Sequence, residues 1–497
     1  MDRLTSLPDE LLYHILSFLP TKSAVVTSAL SKRWLNLWKL NPNLDIDDSV
    51  FIHAEDDGNK GKREDIRQSF VSFVDSVLAM QVDSPINTFS LKCVTGIHPD
   101  TVNRWICNVL KRGVSDLNLF TDFSHEDTED DSYHLPKELF FSSTLVKLRI
   151  TSEHCVDWWW HGGMVGESFS LPMLKSLHID SGLIFCGEIE EFIPSFPALE
   201  ELRMASMEWL ESDVTVSSAT LRRLTLHGTG CENYVNPISV SFDTPNLLFL
   251  SYYDLVAEDY PVVNMNKLFH AVINLIVTDK QVKRLREPNN ELLLEEEEDD
   301  EEGNVFVHFG NVVKLMNGIQ NVQILSLTAD TLEVLSQCCD TLPVFNNLKF
   351  LGITSDEDRG WQAMPALLKN CPRLETIILE GLSHYVTDKC GDACPCISRE
   401  DKGSSLRSCP VKRMEIQGFR ATMKEMTLIK HFLDCFPSLK RLDVVVEDNV
   451  PTQLRNPELS KCVTEMFDLY NKLYPSCSVE LMVSPFLQNK WREQGHI

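Results

Sequence analysis

The sequence contains no apolar run near the roughly 18 residues that a membrane-spanning helix requires, so no membrane partner is expected. Asp2, Asp9 and Glu10 stand where a secretory leader would carry basic residues, so the first segment does not read as a signal peptide. No Asn-x-Ser/Thr acceptor occurs, and cysteine is absent before Cys93. The fifteen cysteines are an odd number and mostly isolated, which speaks against a disulfide framework and for a cytoplasmic or nuclear location. Positive charge is scarce: 46 Lys and Arg face 73 Asp and Glu, a net charge of −27. Such a chain repels phosphate backbones, so nucleic acid is not an expected partner either. There is no P-loop, no G-x-S-x-G, no H-E-x-x-H and no dinucleotide glycine fingerprint. No catalytic residue, cofactor or metal is therefore expected.

What is present fits a folded chain of 497 residues with 43% hydrophobic and 24% charged residues, enough for two or three domains or one repeat array. The most informative stretch is Leu7 to Pro20. Pro8 suits the first turn of a helix, and Asp9 and Glu10 place negative charge at the positive end of its dipole. Leu11, Leu12, Ile15, Leu16, Phe18 and Leu19 make this helix apolar on more than one side, so it needs a partner on a second face. Thr21 to Leu30 reads as a second helix capped by Thr21. Ser31 to Trp38 reads as a third capped by Ser31, with Trp34 and Trp38 one turn apart on one face. Three short helices bury little between themselves, and no cysteine staples them, which leaves a partner protein as the simplest stabiliser.

The segment from Asp2 to Asp48, with its opening Leu-Pro, its Leu11/Ile15/Leu16 ridge, Lys22 to Val26 and Ser-Lys-Arg-Trp at 31–34, closely resembles a plant-type F-box. The resemblance implies docking on a Skp-family adaptor and, through it, a cullin. The residues it assigns to that contact are Leu7, Pro8, Leu11, Leu12, Ile15, Leu16, Leu19, Val25, Leu30, Trp34 and Trp38.

After a polar connection, Ile66, Phe70, Phe73, Val74, Val77 and Leu78 recur at helical spacing and predict a packing helix. An apolar-x-x-apolar-x-apolar template then repeats eleven times. Its occurrences run from Ile86-Phe89-Leu91, Val114-Leu117-Leu119 and Leu145-Leu148-Ile150 through Leu174-Leu177-Ile179, Leu199-Leu202-Met204 and Leu221-Leu224-Leu226 to Leu247-Leu250-Tyr252 and Val272-Leu275-Val277. It resumes at Val322-Leu325-Leu327, Leu348-Leu351-Ile353 and Leu374-Ile377-Leu379. Starts fall mostly 22 to 31 residues apart, the spacing of leucine-rich repeats. Each triplet predicts a short strand in a parallel sheet along a solenoid, with helical or irregular segments packed behind. Lys147, Arg149, Lys175, His178, Glu201 and Arg203 would face outward from that sheet and form the candidate surface for an unknown protein substrate.

Two acidic stretches interrupt the array, at 124–134 and at about 287–304, the second with eight consecutive acidic residues; both predict solvated loops. Trp158, Trp159 and Trp160, followed by His161, read as caps on the apolar ends of neighbouring repeats, with partner contact as the alternative. Cys390 and Cys394 have a spacing that zinc could use, with Cys396, Cys409 and His384 nearby. No second close pair exists, so reduced loop cysteines are the reading.

From Cys409 to Asp448, the strand at Val411, Gly418-Phe419, the helix around Glu425 and Leu439-Lys440-Arg441-Leu442 resemble an FBD domain, which would close the sheet as a terminal cap. The expected architecture is thus α/β: a three-helix F-box at 1–48, a linker and packing helix at 49–85, irregular leucine-rich repeats at 86–400, an FBD-type cap at 409–449 and its extension at 450–497. The function implied is that of a non-catalytic substrate receptor of a cullin-based ubiquitin ligase. The alternative is an interaction scaffold that acts without ubiquitination.

Overall fold

The computed structural model describes residues 7–52, 60–81, 84–121, 135–152, 170–185, 189–209, 212–231, 235–286, 308–355, 359, 361–382, 390–395, 401–446, 454 and 456–493. Two compact units are present. One comprises Met1–Leu210 with Thr220–Gly228, the other Glu211–Ala219 with Thr229–Ile497.

The first unit begins with the short helices Asp9–Leu16 and Thr21–Val26 and the 3₁₀ segments Thr27–Ala29 and Trp34–Leu40. The expected caps are corrected. Pro20, not Thr21, precedes the second helix. Thr21 is its first, buried residue, and its hydroxyl accepts the Asp45 N–H at 2.8 Å. Ser31 likewise lies ahead of the third segment, whose first residue Trp34 returns its N–H to the Ser31 carbonyl at 3.0 Å. The strand row starts earlier than the first repeat triplet, with Asn43–Asp47 running parallel to Thr88–Cys93. Asp116–Thr121, Lys147–Ser152, Ser176–Phe185 and Glu201–Trp209 follow, each parallel to the one before.

Register explains why the template works. Leu44, Phe89, Leu117, Leu148, Leu177 and Leu202 are successive partners, as are Ile46, Leu91, Leu119, Ile150, Ile179 and Met204. All twelve are buried, forming two continuous apolar ladders on one face of the sheet. The intervening residues point to the other face, as the two-residue strand period demands. The packing helix runs Lys60–Met80, and a second helix, Pro99–Lys111, has Pro99 in its first turn and the His98 ring accepting from Asp100 N–H. Phe70 and Trp105 meet edge-on at 5.9 Å between these helices, and the buried Trp105 indole donates to Asp75 at 2.7 Å.

In the second unit, Phe249–Leu255, His270–Ile276, Ile324–Leu327, Phe350–Thr354, Thr376–Glu380, Arg413–Gln417, Arg441–Val445 and Ser478–Met482 form a second parallel series. One expected triplet is out of register. Leu250 and Tyr252 partner Ala271 and Ile273, so the template falls on Leu268, Ala271 and Ile273; Leu275 and Val277 are buried beyond them, and Val272 turns to the other face. The strands at 270 and 324 are direct neighbours, so the long insertion adds no strand between them. The acidic stretches at 124–134 and 295–302 lie outside the described residues.

Three further strands, Asp213–Ser217, Ser239–Asp243 and Val263–Asn264, make a small parallel sheet with Ser239–Asp243 in the middle. Helical or irregular segments were the expectation there. Val214, Val216, Val240 and Phe242 alternate into the interior and account for the strands. The prolines that precede strands occupy the second position of turns closed by Leu174, Leu199, Leu247 and Leu374, whose N–H groups return to residues three positions earlier at 3.0–3.2 Å. Toward the C-terminus, a strand–helix–strand order at 413–417, 423–435 and 441–445 matches the sequence reading. The helix Met423–Cys435 opens with a capping box between Thr422 and Glu425.

Candidate functional site

Large exposed apolar side chains recur along the N-terminal helices. In Asp9–Leu16, Leu12 and Leu16 are fully buried, whereas Leu11 and Ile15 lie on the other side, 49% and 37% exposed. Phe18 extends that stripe just past the helix end at 73%, its ring edge-on to His14 at 4.8 Å. Val26 and Leu30 are about two-thirds exposed, and Leu35 about half. Trp34, Leu37 and Trp38 are buried. Leu12, Leu16, Trp34 and Trp38, expected on the adaptor contact, are therefore corrected to the internal core that holds the helices together. Leu7, Leu19 and Val25 are half-buried and Pro8 is exposed. Phe18, Val26 and Leu35 were missing from the expected set. Phe18 was legible, since Leu11, Ile15 and Phe18 follow the i, i+4, i+7 stripe of a helix face.

Polar contacts fix this cluster in place. Arg33 reaches back to Asp9 through Nε at 2.8 Å and to the Leu7 carbonyl at 2.5 Å, tying the third segment to the first turn of the first helix. Lys22 Nζ sits 3.7 Å from the Phe51 ring centroid and donates to the Val50 carbonyl at 3.0 Å. Asp48 is fully buried and accepts the Val94 N–H at 2.9 Å, the Thr95 N–H at 2.8 Å and the Thr95 hydroxyl at 2.6 Å. The end of the N-terminal segment is thus joined to the residues that follow the second strand.

The second candidate surface is the open face of the first unit's strands. Lys147, Ser176 and Glu201 are cross-strand partners in one row, and Arg149, His178 and Arg203 in the next. Lys175 falls just before its strand, out of phase with Ser176 and His178, and pairs with Glu200 at 3.1 Å. Lys147 pairs loosely with Asp116 at 3.9 Å, and Glu201 with Arg223 at 3.4 Å. His178 lies between two guanidinium groups. Burial first, then Arg149 and Arg203, lower its pKa to about 4, and its Nε2 is buried with no hydrogen-bond partner among the described residues.

Cys390, Cys394 and Cys409 are buried, and burial pushes the Cys409 thiol up to about 11, away from the reactive thiolate. Among the described residues, no group of three or more His, Cys, Asp or Glu could hold a metal ion. Cys396, His384, Trp158, Trp159, Trp160 and His161 lie outside the described residues.

Comparison with known proteins finds two family matches on this chain. The F-box domain family matches residues 4–45, and the family described as "FBD-associated F-box protein At5g56370, LRR repeats" matches residues 102–264. An F-box/LRR-repeat protein of Arabidopsis thaliana, At3g58930, is 63% identical over 494 residues, covering 99% of this chain and all of the relative. The chain belongs to the F-box/LRR-repeat family. Two further Arabidopsis thaliana relatives are the F-box protein At3g03040, 55% identical over 97% of this chain and 98% of its own length, and the F-box/LRR-repeat protein At5g38396, 49% identical over 98% and 100%. In the F-box, the exposed stripe Leu11, Ile15 and Phe18 therefore lies on the very segment that defines the family. The repeat region supplies the open strand face that carries Arg149, His178 and Arg203.

Proposed function

We propose that this F-box/LRR-repeat protein is the substrate-recognition subunit of a cullin-based ubiquitin ligase. The F-box holds a Skp-family adaptor and the repeats hold a protein target. It works in the cytosol or nucleus, a placement supported by the odd, scattered cysteines and the missing glycosylation acceptors. The chain contributes no catalytic group. Its part in the reaction is proximity, presenting a target lysine at high effective concentration to the charged conjugating enzyme.

The observation that carries this reading is the exposure of Leu11, Ile15, Phe18, Val26, Leu30 and Leu35 on the F-box helices. Their exposed portions amount to between three and four whole side chains. At about 1.5–3 kcal/mol per fully buried side chain, covering them yields roughly 5–10 kcal/mol gross. Association itself costs about 4–15 kcal/mol, so little is to spare. Losing two side chains from the stripe should abolish a measurable complex. The test is co-purification of the full chain with a Skp-family adaptor and cullin. Wild type is expected to retain both, and Leu11→Ala with Ile15→Ala to lose both while the repeats stay folded. Undiminished adaptor binding by the double variant would sink the proposal. Adaptor binding without cullin recruitment would favour an interaction scaffold instead.

A further inference from the structure

The outward side chains of the first unit's strands are mostly paired by charge. Lys92 faces Asp47 at 3.4 Å, Lys147 faces Asp116 and Arg223 faces Glu201. Arg149 and Arg203 break this rule. Both are exposed, and neither has an ion pair or hydrogen bond to any described residue. They stand in the same row, separated only by His178. In a chain with a net charge of −27, carboxylates to neutralise them are abundant, yet none of the described ones does so. The imidazole between them, its Nε2 buried without a partner, brings no carboxylate to the row, which therefore offers two free guanidinium forks.

The spacing decides what fits. Adjacent strands lie about 4.8 Å apart, so Arg149 and Arg203 are separated by two such steps, about 10 Å. A peptide in the extended polyproline II conformation rises about 3.1 Å per residue with three residues per turn, so carboxylates three residues apart stand on one side of it and span about 9 Å. Guanidinium forks take carboxylates bidentately. A segment crossing the strands could thus place one carboxylate on each arginine and pass its backbone over His178. Asp116 and Glu201 stand in the neighbouring row on one side and Asp180 in the row on the other, so the positive stretch is confined to this row.

From this geometry we propose that Arg149, His178 and Arg203 form a docking row for an extended acidic peptide of the target protein, with Asp or Glu side chains three residues apart. The proposal rests on the substrate-receptor reading and names the chemistry of the target. Among the described residues no carboxylate pairs with either arginine, and the complementarity is between two uncompensated cations and two carboxylates.

The test uses the full chain bound to its adaptor and three fluorescently labelled nonapeptides. One is Gly-Glu-Gly-Gly-Glu-Gly-Gly-Glu-Gly, the second has glutamine for glutamate, and the third has phosphoserine for glutamate. Fluorescence anisotropy at low salt is expected to show the glutamate peptide binding about tenfold tighter than the glutamine peptide. Arg149→Ala with Arg203→Ala should erase that difference, and Arg149→Lys with Arg203→Lys should restore part of it. Retained adaptor binding and an unchanged melting temperature establish that the alanine variant is folded.

Equal binding of the glutamate and glutamine peptides, or an undiminished difference in the alanine variant, overturns the proposal. So does binding confined to the phosphoserine peptide. If the chain instead self-associates and the alanine variant is monomeric, a second copy is the occupant and the target-peptide assignment fails. Peptide binding is read without the ligase, so its failure leaves the adaptor reading standing. Loss of the adaptor with peptide binding intact has the opposite meaning.

Discussion

Asp48 joins the F-box to the repeats, and its replacement isolates the energetics of that joint. The carboxylate is fully buried and receives the Val94 N–H, the Thr95 N–H and the Thr95 hydroxyl at 2.6–2.9 Å. Asp48→Ala removes all three acceptor contacts. The donors sit in a half-buried turn where water can replace part of the loss, so the low end of the range applies, about 1 kcal/mol for each. The joint should weaken by about 2–3 kcal/mol, which raises opening at Val94 and Thr95 by roughly a hundredfold. Asp48→Asn keeps one oxygen for Thr95 but sets an amide against the Val94 N–H, so it should lose less, about 1 kcal/mol.

Proton linkage gives a second signature at the same residue. Burial raises the Asp48 pKa, the repulsion of Asp47 adds to it, and the hydrogen bonds from Thr95 and Val94 oppose it. With the folded value above the unfolded one, the group's stabilising contribution is fully present below the unfolded pKa of about 3.9 and is lost as pH rises through the folded pKa. The asparagine variant should lack that slope. Native-state hydrogen exchange, followed at the Val94 and Thr95 amides across pH, reads both effects. Wild-type exchange rates at these two amides in Asp48→Ala would refute the reasoning.

Two further outcomes follow from the same geometry. Leu12→Ala, at a fully buried position, should lower the stability of the first unit by about 2–5 kcal/mol, whereas Phe18→Ala, largely exposed, should leave thermal unfolding unchanged while weakening adaptor binding; calorimetry and co-purification separate the two. His178 should remain neutral at pH 5, and its contribution to stability, present above the unfolded value near 6.5, should fade as pH falls toward about 4; Arg149→Ala with Arg203→Ala should raise the NMR-measured pKa, because two of the three causes that lower it are removed.

The strand ladders were legible because each triplet carries its own signal: two residues per period, both apolar, preceded by a turn. Leu148 and Ile150 need no distant residue to be recognised. At His270–Ile276 the same logic misled, because Val272, Leu275 and Val277 mimic the template four residues late: Leu275 and Val277 are buried, but the residues level with Leu250 and Tyr252 are the small Ala271 and Ile273. Only pairing with Leu250 and Tyr252 fixes the four-residue offset, because either start puts apolar residues on the same face. The small second sheet escaped notice for a related reason, since Val-x-Val and Val-x-Phe are too short to outweigh an irregular segment without a neighbour to pair with.

By itself, then, the sequence determined the α/β repeat architecture, the F-box at its start and the absence of known catalytic motifs, all properties written in local spacing. The tertiary structure decided which residues are available. The helix Asp9–Leu16 is apolar nearly all round, and periodicity cannot say which side its neighbours take; packing against the rest of the F-box claims Leu12 and Leu16 and leaves Leu11 and Ile15 free. Likewise, nothing near Arg149 or Arg203 in the chain marks them as unpaired. Their neighbours come from strands some 25 to 30 residues away, and charge compensation is a property of the sheet rather than of the sequence around each arginine.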